Sequence, residues 1–242
     1  FGERSKTEGA EQAPARAVPP ASSRMASLTG QLAALDKAEH LAAEQLKLLS
    51  SKLELANKKT GQKVIAFTSA IKGEGKSVLS LNTAYILATS FAKNVVFVEC
   101  DLRKPSSLSE YVSAEGPGLA EVLKGEATLE DAVSELEGTG LRLIHSGAYN
   151  AESADLIGSS GTSTVINRLR AGFDLVVLDC PPVIPLADMS IIEKLVDSMV
   201  LVVRAGQTSR ELVKSATESL DKKKFIGAVL NGADTKLEKY YY

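Results

Sequence analysis

The stretch from Lys63 to Ala88 (KVIAFTSAIKGEGKSVLSLNTAYILA) constrains the fold more than any other part of the chain. A run rich in β-branched and aromatic residues leads into a glycine-bearing loop that ends in Lys76-Ser77, and an apolar-periodic segment follows. This order predicts a strand, a phosphate-binding loop and a helix that begins where the loop ends. The backbone N–H groups of such a loop, together with the helix N-terminus, attract phosphate oxygens.

Each residue at the end of this loop has a predicted role. The glycine-bearing part supplies backbone N–H groups, the lysine reaches the β and γ phosphates, and the serine hydroxyl holds Mg²⁺. These residues are Gly73, Glu74, Gly75, Lys76 and Ser77. The usual pattern G-x-x-x-x-G-K-S/T has glycine where this chain has Ala70. A Gly/Lys turn without a ligand is the alternative interpretation, and the strand-loop-helix context argues against it.

Composition restricts the classes of protein to consider. The chain has 242 residues, of which 44% are hydrophobic and 24% charged, so it can bury one substantial core and form one domain with extensions. A net charge of −2 and a pI near 5.9 give no electrostatic argument for binding nucleic acid. The apolar runs have the length of strands and are too short to span a membrane.

Carboxylates end two further predicted strands. Glu99 and Asp101 follow the run Val95 to Val98, and at i and i+2 of an extended backbone they are expected to face the same way. Ligands bind at the carboxyl edge of a parallel sheet, so these two acids are candidates for a metal or base role, the alternative being a polar strand end. Asp179 ends the apolar run that begins at Phe173, and it fits an acid that positions Mg²⁺.

The alternation of strands and helices predicts the fold class. It indicates an α/β protein of the P-loop NTPase-like type, with a doubly wound, mainly parallel sheet and helices on both faces. We expect four regions. They are a disordered linker (1–28), an amphipathic helix (29–58), the P-loop domain (59–233) and a tyrosine-rich tail (234–242).

Three local predictions complete this interpretation. A short helix is expected at Leu129 to Leu136, and Asp188 is expected to lie at a helix N-terminus. Asn231 ends the last predicted strand, where its amide either contacts the edge of an adenine base or forms a turn.

With these residues established, the chain resembles the bacterial tyrosine autokinases (BY-kinases), the cytoplasmic kinases of capsule and exopolysaccharide export systems. The resemblance covers residues from about 44 to 242. It depends on the segments GEGKS, VVFVECDLRKP, GLAEVLKGEATLEDAV, FDLVVLDCPP, VLVVRAG and GAVLNG, and on the terminal cluster Tyr240-Tyr241-Tyr242.

The resemblance implies an activity and a set of roles. It implies an ATP- and Mg²⁺-dependent tyrosine kinase that phosphorylates its own tail and regulates polysaccharide polymerisation and export. The catalytic residues would be Lys76, Glu99, Asp101 and Asp179. Ser77 and Asp179 would bind the metal ion, and the phosphate loop and Asn231 would bind the nucleotide. The phosphate acceptors would be Tyr240, Tyr241 and Tyr242. A transmembrane co-polymerase would activate the enzyme at the inner face of the membrane, and self-association is expected.

The chain departs from the family pattern in three places. Glu99 replaces the first aspartate of the second acidic motif, Lys72 stands where proline is common, and the oligomer motif Glu-x-x-Arg-x-x-Arg falls on Glu44, Lys47 and Ser50.

The alternative functions are a partition-type ATPase of the same fold and a non-catalytic nucleotide-binding scaffold. The signature lysine of partition ATPases is absent, because Ile71 occupies its position, and this absence favours the kinase.

Overall fold

The computed structural model describes residues 40–103, 108, 116–148, 151–184 and 188–233. The predicted linker (1–28), the first part of the predicted N-terminal helix (29–39) and the tyrosine-rich tail (234–242) lie outside these residues.

Seven strands form a single sheet in the described part of the chain. They are β1 (Val64–Ser69), β2 (Val95–Glu99), β3 (Ser134–Leu136), β4 (Leu141–Ile144), β5 (Leu175–Asp179), β6 (Ser198–Arg204) and β7 (Phe225–Asn231). Their order is β3-β4-β2-β5-β1-β6-β7, and every adjacent pair is parallel except β3 with β4. The central strands β1, β2 and β5 are buried along their whole length, as apolar strands covered on both faces must be. This topology confirms the predicted P-loop NTPase-like fold.

Helices cover both faces of the sheet. They are α1 (His40–Thr60), α2 (Lys76–Thr89), α3 (Leu119–Lys124), α4 (Leu129–Ala132), α5 (Ser160–Gly172), α6 (Asp188–Leu195) and α7 (Arg210–Ser219), with a 3₁₀ segment at Ala151–Gly158. Leu53 of α1 and Leu87 of α2 pack in one apolar cluster with Phe67 and Phe97 of the sheet. The helices α5, α6 and α7 contribute to a second cluster on the opposite face. Across the described ranges, none of the helices combines the length and the apolar character that crossing a bilayer requires.

The prediction of a helix from Leu129 to Leu136 is wrong for its second half. Thr128 and Asp131 form a capping box that begins α4, but the helix ends after a single turn at Ala132. Residues 134–136 then pair with β4 as the antiparallel strand β3, and Leu136 is buried. An isolated turn of helix is marginal by itself, so pairing with the sheet edge determines the conformation of these residues.

A carboxylate that sequence analysis passed over fixes the start of β1. Asp197, just before β6, accepts hydrogen bonds from the backbone N–H groups of Lys63 and Val64 at 2.8 and 2.9 Å. Its two oxygens also lie 2.5 and 2.6 Å from the guanidinium of Arg170 on α5. Burial alone would raise the pKa of Asp197, but Arg170 and the two N–H groups outweigh it and lower that pKa. Asp197 therefore stabilises the fold as an ionised group.

This contact makes the stability dependent on pH. Because the pKa of Asp197 is lower in the folded state than its unfolded value of about 3.9, its stabilisation is present above about pH 4. We expect Asp197→Asn to lower the free energy of unfolding at pH 7 by roughly 1–3 kcal/mol, as urea titration would measure. The difference in unfolding free energy between wild type and variant should shrink as the pH falls through the folded-state pKa of Asp197. An equal difference at pH 7 and pH 3 would contradict this role. The control variant is Asp221→Asn, at an exposed aspartate.

Candidate functional site

The phosphate loop connects β1 to α2 in a conformation that requires glycine. Gly73 and Gly75 have φ values of +85° and +87°, in the left-handed region that side chains with a Cβ rarely occupy. Gly75 is the N-cap of α2 and contributes no side-chain hydrogen bond to the first turn. The N-cap of this 14-residue helix therefore supplies no capping side chain, and the positive end of the helix is suited to bind an anion.

Lys76 lies between two of the predicted acids. Its Nζ donates to Asp101 Oδ2 at 3.3 Å and to Asp179 Oδ1 at 3.4 Å. All three residues are buried, and Asp179 is completely so. Burial alone would lower the pKa of Lys76, but the carboxylates of Asp179 and Asp101 outweigh burial and raise it. The lysine is therefore a fixed positive charge at the carboxyl edge of the sheet.

Strand order explains why residues far apart in sequence meet here. The strand β5 lies between β1 and β2, and Asp179 pairs in register with Phe67 on one side and with Glu99 on the other. The end of each of these strands consequently reaches the same edge as the loop that follows β1. The sequence predicts this convergence, because parallel neighbouring strands bring their carboxyl ends together.

The donor set fits a magnesium ion. Ser77 is the second residue of α2 and is partly buried, and Asp179 ends the neighbouring strand. Hydroxyl and carboxylate oxygens are ligands that Mg²⁺ prefers, usually completed by water and by phosphate oxygens of the substrate.

Glu99 and Asp101, which the sequence predicts to face the same way, contact different partners. Glu99 Oε1 accepts from the N–H of Leu108 and Oε2 accepts from the N–H of Ser146, both at 3.1 Å. Asp101 contacts Lys76 instead. Lys76 also contacts Asp179, the in-register neighbour of Glu99 on β5, so these contacts agree with a common side for the two acids.

Two ionic residues beside the site were not recognised from sequence as partners. The guanidinium of Arg103 donates to both carboxylate oxygens of Asp188, at 2.5 and 2.9 Å. Asp188 is the first residue of α6, as predicted, and this contact ties α6 to the turn that follows Asp101. The only signal in the sequence is the arginine two positions after Asp101, which does not specify a partner 85 residues away.

Other predicted site residues lie apart from this cluster or outside the described residues. The side chain of Glu74 is 1% exposed and hydrogen-bonded within the protein, and Asn231 donates to the backbone of the phosphate loop. In the oligomer-motif positions, Lys47 pairs with Glu44 at 3.5 Å on the same helix, and Ser50 is buried. The predicted acceptors Tyr240, Tyr241 and Tyr242 lie outside the described residues.

Comparison with known proteins identifies close relatives. A family model described as an AAA domain matches residues 62–224. Tyrosine-protein kinase YwqD of Bacillus subtilis is 32% identical over 209 residues, which cover 86% of this chain and 87% of that protein. The succinoglycan biosynthesis transport protein ExoP of Rhizobium meliloti is 33% identical over 184 residues, or 74% of this chain and 23% of that longer protein.

The solved structures agree with these relatives. The BceF tyrosine kinase domain is 28% identical and superimposes with a TM-score of 0.74, covering 88% of this chain and 90% of that domain. The fold and the AAA-domain match both imply nucleotide binding.

Proposed function

The chain belongs to the bacterial tyrosine kinase (BY-kinase) family, and from this premise we propose that it is an ATP-dependent protein-tyrosine autokinase. Its acceptors are Tyr240, Tyr241 and Tyr242 in its own tail. The acceptor hydroxyl oxygen forms a bond to the γ-phosphorus of ATP while the bond from that phosphorus to the bridging oxygen breaks, and ADP leaves. The hydroxyl proton passes to a carboxylate of the site.

The observation that carries this proposal is the position of Lys76. Its buried ammonium lies 3.3 and 3.4 Å from Asp101 and Asp179, at the start of the helix that follows the phosphate loop. A cation held there before substrate arrives stabilises the negative charge that spreads over the transferring phosphoryl group, and it needs little reorganisation. The loop N–H groups contribute to the same stabilisation, and Gly73, Glu74 and Gly75 would contact the nucleotide phosphates mainly through their backbone.

Ser77 and Asp179 would hold Mg²⁺ at this site. When bound, the ion neutralises charge on the phosphates and helps to orient them for in-line transfer. Asp101 and Glu99 have the remaining acidic roles, as proton acceptor or as support for the metal. Asp101 is the better placed of the two for a direct role because it contacts Lys76, whereas Glu99 bonds to two backbone N–H groups.

The relatives support a proposal for the biological role. We infer that the enzyme works at the inner face of the cell membrane, with a transmembrane polysaccharide co-polymerase as its activator. The similarity to ExoP, a transport protein of succinoglycan biosynthesis, supports this role. Phosphorylation of the tail would regulate polymerisation and export of the polysaccharide, and the kinase would also associate with itself.

Incubation with Mg²⁺ and γ-labelled ATP tests the activity. The wild-type chain should acquire phosphotyrosine, and the variant with Tyr240, Tyr241 and Tyr242 changed to Phe should lose most of it. The matched control changes Tyr85, a partly buried residue of α2 that packs against the core, to Phe and should label normally. Release of inorganic phosphate without phosphotyrosine, with the activating partner's cytoplasmic segment present, would instead identify a partition-type ATPase.

A further inference from the structure

The side chain of Glu74 is buried within the protein although it belongs to the phosphate loop. Its Oε2 accepts from the N–H of Ile71 at 2.8 Å, within the same loop. Its Oε1 accepts from the N–H of Arg204 at 3.1 Å and from the Thr208 hydroxyl at 2.5 Å. One carboxylate therefore joins the loop to the connection between β6 and α7.

Asn231 holds the same loop from the end of β7. Its Nδ2 donates to the backbone carbonyl of Glu74 at 2.9 Å. The approach is so close that a Cβ on Gly75 would lie 2.1 Å from that nitrogen, so glycine is required here for packing as well as for its φ of +87°. The backbone of Asn231 is itself fixed, because its carbonyl accepts from the N–H of Ala205 at 2.9 Å.

We propose that Glu74 and Asn231 are positioning residues that keep the phosphate loop in its binding conformation, and that they set the affinity for the polyphosphate of a nucleotide regardless of its base. The proposal rests on the proposed function only in requiring that the loop binds nucleotide phosphates. A loop ordered in advance does not lose conformational entropy when the ligand binds, and its N–H groups already converge on the anion.

This role differs from the sequence prediction that the Asn231 amide contacts an adenine edge. A residue that contacts the base affects adenine nucleotides alone. A residue that orders the loop affects every ligand that presents the same phosphates. The two roles therefore predict different patterns across ATP, GTP and inorganic tripolyphosphate.

Equilibrium binding separates the two roles. Dissociation constants would be measured with fluorescent, non-hydrolysable ATP and GTP analogues, and with tripolyphosphate as competitor, on the full chain with Mg²⁺. We expect Asn231→Ala to raise all three constants by a similar factor of about five to ten, the effect of losing one hydrogen bond that orders the loop. Glu74→Gln should raise the three dissociation constants by more than tenfold. Both carboxylate oxygens of Glu74 accept from backbone N–H groups, and in glutamine one of these oxygens is replaced by an N–H₂ group that cannot accept. Thr208→Val should give a smaller increase of the same kind.

Matched controls separate loop ordering from loss of stability. Glu121 also accepts two backbone hydrogen bonds, from Gly118 at 2.7 Å and Ala148 at 3.0 Å, but it lies outside the loop network. Thr217 has a hydroxyl that donates to carbonyls of its own helix. We expect Glu121→Gln and Thr217→Val to leave all three dissociation constants within twofold of wild type, even where the melting temperature falls.

Three results would overturn the proposal. The first is a loss confined to adenine nucleotides in Asn231→Ala. The second is unchanged affinity in folded Glu74→Gln and Asn231→Ala, with folding checked by melting of the ligand-free chains. The third is a wild-type chain that binds none of the three ligands. Because binding is measured without phosphotransfer, a chain that binds nucleotide but forms no phosphotyrosine would reject the kinase activity alone.

Discussion

Replacing Lys76 by methionine should reduce autophosphorylation by at least about 10²- to 10³-fold, as phosphotyrosine formation at saturating ATP would measure. Methionine has a similar length and no charge, so it removes the ammonium that stabilises the transferring phosphoryl group. The structure adds a second effect. Without Lys76 the buried carboxylates of Asp101 and Asp179 lose a shared partner, so the melting temperature of the variant should also fall.

The two effects are separated by assaying below the measured melting temperature. The control is Lys214→Met, because Lys214 lies on the exposed surface of α7 and its Nζ is 3.9 Å from Glu218, one turn away. That variant should retain wild-type activity and stability. Wild-type levels of phosphotyrosine in folded Lys76→Met would show that Lys76 is not an active-site residue. That result would also contradict the central observation behind the kinase assignment.

The predictable part of this site is the part encoded locally. Residues 73–77 specify the loop through two glycines and a lysine that begin a helix, and the preceding run specifies a buried strand. Apolar runs that end in Glu99 and Asp179 then specify parallel strands with acids at their carboxyl ends. Since that edge is common to all parallel strands, the sequence predicts that Lys76, Asp101 and Asp179 lie near one another, and the structure adds their direct contacts.

The parts that sequence analysis missed depend on contacts across many residues. The Glu74 side chain joins segments 130 residues apart, and Asp197 bonds to residues 133 and 134 positions before it. No sequence pattern around Glu74 or Asp197 specifies which residues these carboxylates contact. The strand β3 was missed for a related reason, since three residues carry too little periodicity and only their pairing with β4 defines them.

Phosphotransfer should occur between chains, from the site of one copy to the tail of another. The tail follows β7, whose last residue, Asn231, contacts the phosphate loop. The residues after Asn231 reach at most about 35–40 Å when extended, so length alone permits transfer within a chain as well. The direction of approach favours transfer between chains. The acceptor must arrive in line with the breaking bond, on the side of the γ-phosphate away from the loop, and a tail that starts beside its own loop must pass around the nucleotide.

A mixing experiment with two complementary variants measures phosphotransfer between chains. The donor has an intact site and Tyr240, Tyr241 and Tyr242 changed to Phe, and the acceptor carries Lys76→Met with its tail intact. We expect phosphotyrosine on the acceptor's C-terminal peptide by mass spectrometry, at an initial rate that rises with donor concentration. Asp179→Asn provides a second acceptor in case Lys76→Met is unstable. Acceptor alone, and donor mixed with an acceptor that also lacks the tyrosines, are the controls that should remain unlabelled.

The charge on the product should make this association reversible. Each phosphotyrosine adds about −1.5 to −2 charges, which the carboxylates of Asp101 and Asp179 repel. We therefore expect unphosphorylated chains to associate through the tail and phosphorylated chains to separate, as light scattering before and after ATP addition would show.

In the mixing experiment, the contrary result is an acceptor chain that stays unlabelled while wild type labels itself at a rate per chain that does not depend on concentration. That result would establish transfer within one chain.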